Sequence, residues 1–176
     1  MKVEHGSTAT AADRRWMQRA IDLSRLCPPA EKAYSVGAVI VAADGSEISY
    51  GYSRETDSHV HAEESALAKI DVNDPRLKDA TTYSTLEPCS ERMSQRPTCV
   101  ELIIASGIPR VVIAWREPDL FVDDCIGVEL LLAAGKIVVE IPDLAAAAQA
   151  VNSHLELASA RSLSGVHLKT PHRDPL

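Results

Sequence analysis

His61-Ala62-Glu63 and Pro88-Cys89, with a second cysteine at Cys99, are the residues of this chain whose types and spacing could do chemistry together. One imidazole and two thiolates make a zinc set with three protein ligands, leaving the fourth tetrahedral position to water. That is the layout of a catalytic rather than a structural site. Zinc so held lowers the pKa of its water toward neutrality, so a hydroxide nucleophile exists where bulk water would need strong alkali. Glu63, two residues after the imidazole, is the carboxylate placed to take a proton from that water and hand it on to a reacting molecule. Cys89, after Pro88 at the start of a turn or helix, gains thiolate character from backbone N–H groups and from the metal. Singly, each residue has a plainer reading: a His before a helix is a cap or surface group, and an apolar-context Cys is inert core. Their joint order favours the metal site, with a structural zinc site or a non-catalytic zinc-stabilised binding module as the alternative.

Nine residues, Ser90 to Thr98, separate the two cysteines. A segment of that length must close back on itself for Cys99 to reach the metal, and closure of such a loop is entropically cheap. It carries Arg92 and Arg96, which form either a specificity lip beside the metal or two solvated charges. His59, two residues before His61, either touches a substrate or nothing.

The elements that must position these groups follow from periodicity. Trp16, Ala20, Leu23 and Cys27 recur at helical spacing between about Thr10 and Cys27, and Pro28-Pro29 forbids continuation. Val36 to Ala42, then Asp44-Gly45, then Ile48 to Tyr52 carry the signature of a β-hairpin. The segment HAEESALAKI suits a helix closed before Pro75. Strands and helices then alternate: strand Thr81 to Leu86, helix Val100 to Ser106, strand Arg110 to Trp115, helix Gly127 to Ala134, strand Lys136 to Ile141 and helix Ala145 to Ala160. This alternation predicts an α/β fold with a largely parallel sheet covered by helices on both faces, the hairpin adding an antiparallel member. Residues 10–160 are expected to form one domain, with residues 1–9 and 161–176 as flexible ends.

The formal charge of −7 offers no general attraction to phosphate backbones or anionic lipid, which argues against nucleic acid as a partner. No stretch approaches ~18 consecutive apolar residues, and the first residues lack the basic-then-apolar order of a secretory signal. The chain is therefore expected in the cytoplasm and off the membrane, with its four cysteines as thiols or metal ligands rather than disulfides.

H-x-E with P-C-x-x-C is the signature of zinc nucleobase deaminases, in which the Glu is not a ligand; here nine residues instead of two separate the cysteines. Through YSVGAVIV, GYSRE, HVHAEESAL, TTYSTLEPCSERMSQRPTC, SGIPRVVIA and GVELLLAAGKIVVEI, the span from Tyr34 to Ile141 resembles the cytidine deaminase-like superfamily. Within it, the chain is similar to the pyrimidine deaminases of riboflavin biosynthesis. The long cysteine spacing and the TLEPCS lead-in look like the fungal form. That resemblance implies a three-layer cytidine deaminase-like fold with a mixed five-stranded sheet. It also implies a substrate of the diaminopyrimidinone ribosyl- or ribitylamino phosphate type, which loses its 2-amino group as ammonia. The family's zinc ligands fall on His61, Cys89 and Cys99, and its proton carrier on Glu63. The bacterial form's use of its inter-cysteine insertion to hold the sugar phosphate points to Glu91, Arg92, Ser94 and Arg96. Where the bacterial form carries Asn-Pro, this chain has Ala33-Tyr34, so ring recognition is expected to differ and to involve Tyr34. A homodimer or homotetramer is expected from the superfamily, and a separate reductase from the pathway. A deaminase of a free base or nucleoside would share the same zinc chemistry and stays open as an alternative.

Overall fold

A computed structural model describes residues 8–92, 94, 96–117 and 125–155. The expected flexible ends, apart from residues 8–9, lie outside the described residues, as does the last part of the helix expected over 145–160. Among the described residues the α-helices and strands are α1 (Ala11–Ser24), β1 (Gly37–Val41), β2 (Glu47–Tyr52), α2 (Ala62–Ala68), β3 (Thr81–Leu86), α3 (Cys99–Ser106), β4 (Arg110–Trp115), α4 (Gly127–Ala133), β5 (Ile137–Glu140) and α5 (Ala145–Ala150). The sheet runs β2-β1-β3-β4-β5. β1 is antiparallel to both β2 and β3, while β3, β4 and β5 are parallel.

The period-2 alternation of strand side chains sorts the core into two layers. Val39, Val41, Val112 and Ala114 face α1 and α5, packing with Met17, Ile21 and Ala148. Their neighbours Ala38, Ile40, Val111 and Ile113 face the other way, against Ala62 and Ala66 of α2, Val100 and Ile103 of α3, and Val128 and Leu131 of α4. The result is the three-layer α/β fold with a mixed five-stranded sheet that the sequence implied.

Element ends differ from the sequence reading by local hydrogen bonding. α1 stops at Ser24, whose hydroxyl donates to the Ile21 carbonyl, and Leu26 and Cys27 complete turns ahead of Pro28. α5 runs to Ala150, a turn interrupts it at 151–152, where the Asn152 side-chain amide donates to the Ala148 carbonyl, and residues 153–155 are helical again.

Two glycines matter for the site because a side chain has no room. A Cβ at Gly51 of β2 would meet the Ala62 carbonyl at 2.4 Å, so this glycine lets the start of α2 lie against the sheet. A Cβ at Gly127 would stand 2.1 Å from the Pro88 carbonyl, so α4 begins in contact with the segment that carries Cys89.

Candidate active site

Three chain segments deliver the candidate metal ligands to one point at the carboxyl end of β3. His61 is the N-cap of α2 with extended backbone, and its amide donates to the Glu64 carboxylate at 3.3 Å. Cys89 follows β3 across Glu87-Pro88. Cys99 is the first residue of α3, which starts with a Thr98–Glu101 capping box: the Glu101 amide donates to Thr98 Oγ1 at 3.2 Å, and the Thr98 amide to Glu101 at 2.8 Å. The helix start also serves the other cysteine, since the Cys99 amide donates to Cys89 Sγ at 3.3 Å.

The three donor atoms of His61, Cys89 and Cys99 lie within 4.8 Å of one another. Nδ1 of His61 is 3.5 Å from Cys89 Sγ and 3.4 Å from Cys99 Sγ. Zn–S bonds of ~2.3 Å and a Zn–N bond of ~2.0 Å at tetrahedral angles require an N···S edge of about 3.5 Å. The donor set therefore fits zinc in both chemistry and span. Cys99 beside it, with His61, holds the Cys89 thiol well below the ordinary range at about 4, while its contact with Cys89 and complete burial push Cys99 the other way. For His61, burial presses the imidazole down, but the Cys89 and Glu63 charges outweigh it and the net shift is upward.

Glu63 sits in the first turn of α2 and is 3% exposed. The Ser84 hydroxyl of β3 donates to its Oε1 at 2.6 Å, and its Oε2 lies 3.2 Å from Cys99 Sγ. The carboxylate thus stands beside the ligand set on a fixed tether without belonging to it.

A cavity of about 290 Å³ opens over Glu63, His61 and Cys89, at the small end of the range for ligand pockets. Of the other residues singled out from the sequence, Tyr34, His59, Glu91, Arg92 and Ser94 line it; Arg96 is not in its lining. Tyr34 stacks edge-on against Trp115 with ring centres 5.8 Å apart, and burial followed by the Glu117 charge pushes its hydroxyl up to about 12. The guanidinium groups of Arg92 and Arg96 are both engaged by protein carboxylates, Arg92 with Glu64 and Arg96 with Glu64 and Asp57.

Sequence reasoning did not point to Glu117, Lys32 or Arg54, all of which line the same cavity. Glu117 follows the end of β4, and burial, with the nearby Cys89 and Glu87 charges, pushes its carboxyl up to about 7. Its position past the carboxyl end of a parallel strand, where α/β sheets bind ligands, was the available signal. Arg54 has a positive φ of 63° and acts as a strut. Its guanidinium donates to the carbonyls of Pro28 and Tyr34 at 3.0 and 2.9 Å and to Ser35 Oγ at 3.0 Å. Asn152 grips the same wall from the other side, accepting from the Ser35 amide at 2.7 Å and donating to its carbonyl at 3.2 Å. Glu87 accepts from the amides of Val128 and Glu117 at 2.8 and 3.2 Å, which anchors α4 and the end of β4 beside Cys89. Among the described residues the four cysteines are free of disulfides.

The family model for the cytidine and deoxycytidylate deaminase zinc-binding region matches residues 10–115. The chain is 43% identical over 127 residues to the diaminohydroxyphosphoribosylamino-pyrimidine deaminase of Schizosaccharomyces pombe, covering 71% of this chain but only 31% of that protein. It is 35% identical over 108 residues to the protein of the same name from Buchnera aphidicola subsp. Schizaphis graminum, covering 61% of this chain and 69% of that one. Among solved structures, Acinetobacter baumannii RibD superposes with a TM-score of 0.68 at 30% identity, over 84% of this chain and 40% of the other. The chain thus spans about a third of the length of its fungal relative. With ligand geometry that suits zinc, a carboxylate tethered beside it and a match over more than half its length, the chain belongs to the zinc-dependent cytidine and deoxycytidylate deaminase family.

Proposed function

We propose that the chain hydrolyses the exocyclic 2-amino group of a diaminopyrimidinone bearing a ribitylamino or ribosylamino phosphate, water entering as the ring carbonyl oxygen and the amine leaving as ammonia. The observation that carries this reading is the 43% identity to a fungal deaminase named for such a substrate, in a chain whose cavity opens over Glu63, His61 and Cys89. The relative's name carries the ribosylamino form, and the assay below separates it from the ribitylamino one. Zinc held by His61, Cys89 and Cys99 would supply acidified water at neutral pH. Glu63 takes the proton of the attacking water, delivers it to a ring nitrogen and returns a proton to the departing amine. The Ser84 hydroxyl fixes one oxygen of that carboxylate, so the proton carrier does not swing between steps. Tyr34, held edge-on by Trp115, offers the ring an aromatic wall, and Glu117 presents a polar group to the same cavity. The test is ammonia release by the zinc-loaded protein from the ribitylamino phosphate, its ribosylamino precursor, guanine and cytidine. Turnover of the first supports the reading; inertness toward both phosphates refutes it.

Ile104 of α3 with Ile126 and Leu130 at the start of α4 are exposed apolar side chains on neighbouring helices, and they support assembly as at least a dimer. A sedimentation mass near 19.0 kDa at micromolar concentration would refute it. Four thiols free of disulfides and no helix among the described residues long and apolar enough to cross a membrane support a cytoplasmic setting. Exclusion of a fluorescent fusion from the cytosol would refute that.

A further inference from the structure

The spacing between the cysteines poses a mechanical problem. Two ligands one helical turn apart are held by the helix itself, but nine intervening residues leave the chain free to part them. The metal alone need not solve this, because one carboxylate joins every piece. Glu64 Oε2 accepts from the His61 amide at 3.3 Å and pairs with Arg92 at 2.9 Å, while Oε1 pairs with Arg96 at 2.9 Å. Arg92 and Arg96 both belong to the inter-cysteine segment, and Arg92 also donates to the Pro97 carbonyl at 3.0 Å and to the His59 carbonyl. Arg96 reaches on to Asp57 at 3.0 Å. The Arg92 side chain is only 5% exposed, so its pair with Glu64 is shielded from solvent and from salt.

We propose that Glu64 is a positioning residue for the metal centre: through Arg92 and Arg96 it clamps the inter-cysteine segment onto the backbone of His61, and so keeps both thiolates in reach of one ion. It makes no contact with the reacting atoms. The clamp also occupies both arginines of the segment, which removes them from service as phosphate ligands. The inference rests on the zinc ligand set and is independent of which amine the enzyme removes.

The test follows zinc release from the fully loaded, full-length chain to an excess of chromogenic chelator, at a temperature where circular dichroism shows every variant folded. Glu64→Gln should release zinc about 10- to 100-fold faster, the usual scale for groups that orient metal ligands. Arg96→Gln, whose side chain is 38% exposed and which is therefore safe for folding, should accelerate release in the same direction. Arg96→Lys should recover most of that loss, and the Glu64→Gln/Arg96→Gln double variant should be no faster than Glu64→Gln alone, because both remove one shared interaction. In metal-free protein, trypsin should cut after Arg92 sooner in both single variants than in the unsubstituted chain. Release within about twofold of the unsubstituted protein for Glu64→Gln, or independent effects of the two substitutions, overturns the clamp. So does an Arg96→Gln variant with unchanged release but a raised KM for a phosphorylated substrate, which would return Arg96 to phosphate binding. A freshly purified chain with well under about one zinc would overturn the ligand set itself, a failure separate from any substrate result.

Discussion

Glu63→Gln separates proton transfer from everything else the residue does. Among the described residues the Glu63 carboxylate accepts from the Ser84 hydroxyl at 2.6 Å and from Cys99 Sγ at 3.2 Å. A glutamine of the same length keeps an acceptor for Ser84, so the tether and the packing of a 3% exposed side chain survive. What is lost is the ability to hold and give up a proton, worth about 10²- to 10⁴-fold in rate. That is about 3–5 kcal/mol of barrier. Glu63→Asp keeps the acid but withdraws it by one methylene, and a displacement of roughly 1 Å costs about 10²-fold. The assay is steady-state ammonia release with zinc content measured on the same samples. Both variants should retain about one zinc per chain while kcat falls by these factors, with Glu63→Gln below Glu63→Asp. A Glu63→Gln protein that is zinc-loaded and within about threefold of the parent rate would refute the assignment of the proton carrier. Loss of zinc in step with activity would show instead that Glu63 acts through the ligands.

The remaining predictions concern what holds the site in place. Removing zinc by dialysis against a strong chelator should abolish ammonia release and lower the melting temperature, and re-addition of zinc should restore both; activity that survives complete removal would contradict the metal reading. Asp13 is 2% exposed, takes a two-pronged bond from Arg110 at 2.7 and 3.0 Å and accepts from the Tyr83 hydroxyl at 2.8 Å, so Asp13→Asn should cost about 3–5 kcal/mol in urea unfolding. Burial works against its ionisation, but Arg110, Thr10 and Tyr83 outweigh that and hold its carboxyl well below the usual range. Its contribution is therefore complete above the unfolded value of ~3.9 and is lost as pH falls through the lower folded value, so parent and Asp13→Asn stabilities should converge only in strong acid. Asn152→Ala strands the Ser35 amide beside the cavity wall and should cost about 1–3 kcal/mol, with KM raised more than kcat is lowered; an unchanged KM would show that the wall does not depend on this grip.

The sheet and its two helical layers were legible because strand and helix periods record burial directly. Thr81–Leu86 and Arg110–Trp115 are bounded as the apolar runs suggest, since each is a buried strand flanked by Pro, Gly or charged residues. The end of α1 and the turn at 151–152 that interrupts the last helix were not legible, because they go with side-chain bonds of Ser24 and Asn152 to carbonyls three and four residues back. Such bonds compete with helix locally and leave no periodic trace.

At the site, chemistry was legible and partnership was not. A histidine, a glutamate and two cysteines announce zinc because few other tasks need that combination, and the fold brings the three ligands within 4.8 Å. Arginines carry no such restriction: a guanidinium binds a substrate phosphate and a protein carboxylate with the same fork of N–H donors. Arg92 and Arg96 sit where a phosphate contact was expected, yet each pairs with Glu64, and Arg96 with Asp57 as well. The deciding partner lies 28 and 32 residues earlier in the chain, next to Glu63, where it reads as an ordinary helix-start acid. Where arginines are tied down in this way, a phosphate at the cavity mouth must be met by cations without protein partners. Among the described residues lining the cavity, Lys32 is one that forms no ion pair. Phosphate selectivity should then respond to Lys32→Ala, seen as a KM ratio between phosphorylated and dephosphorylated substrate, and stay constant in Arg96→Gln; the opposite pattern would place the phosphate back in the inter-cysteine segment.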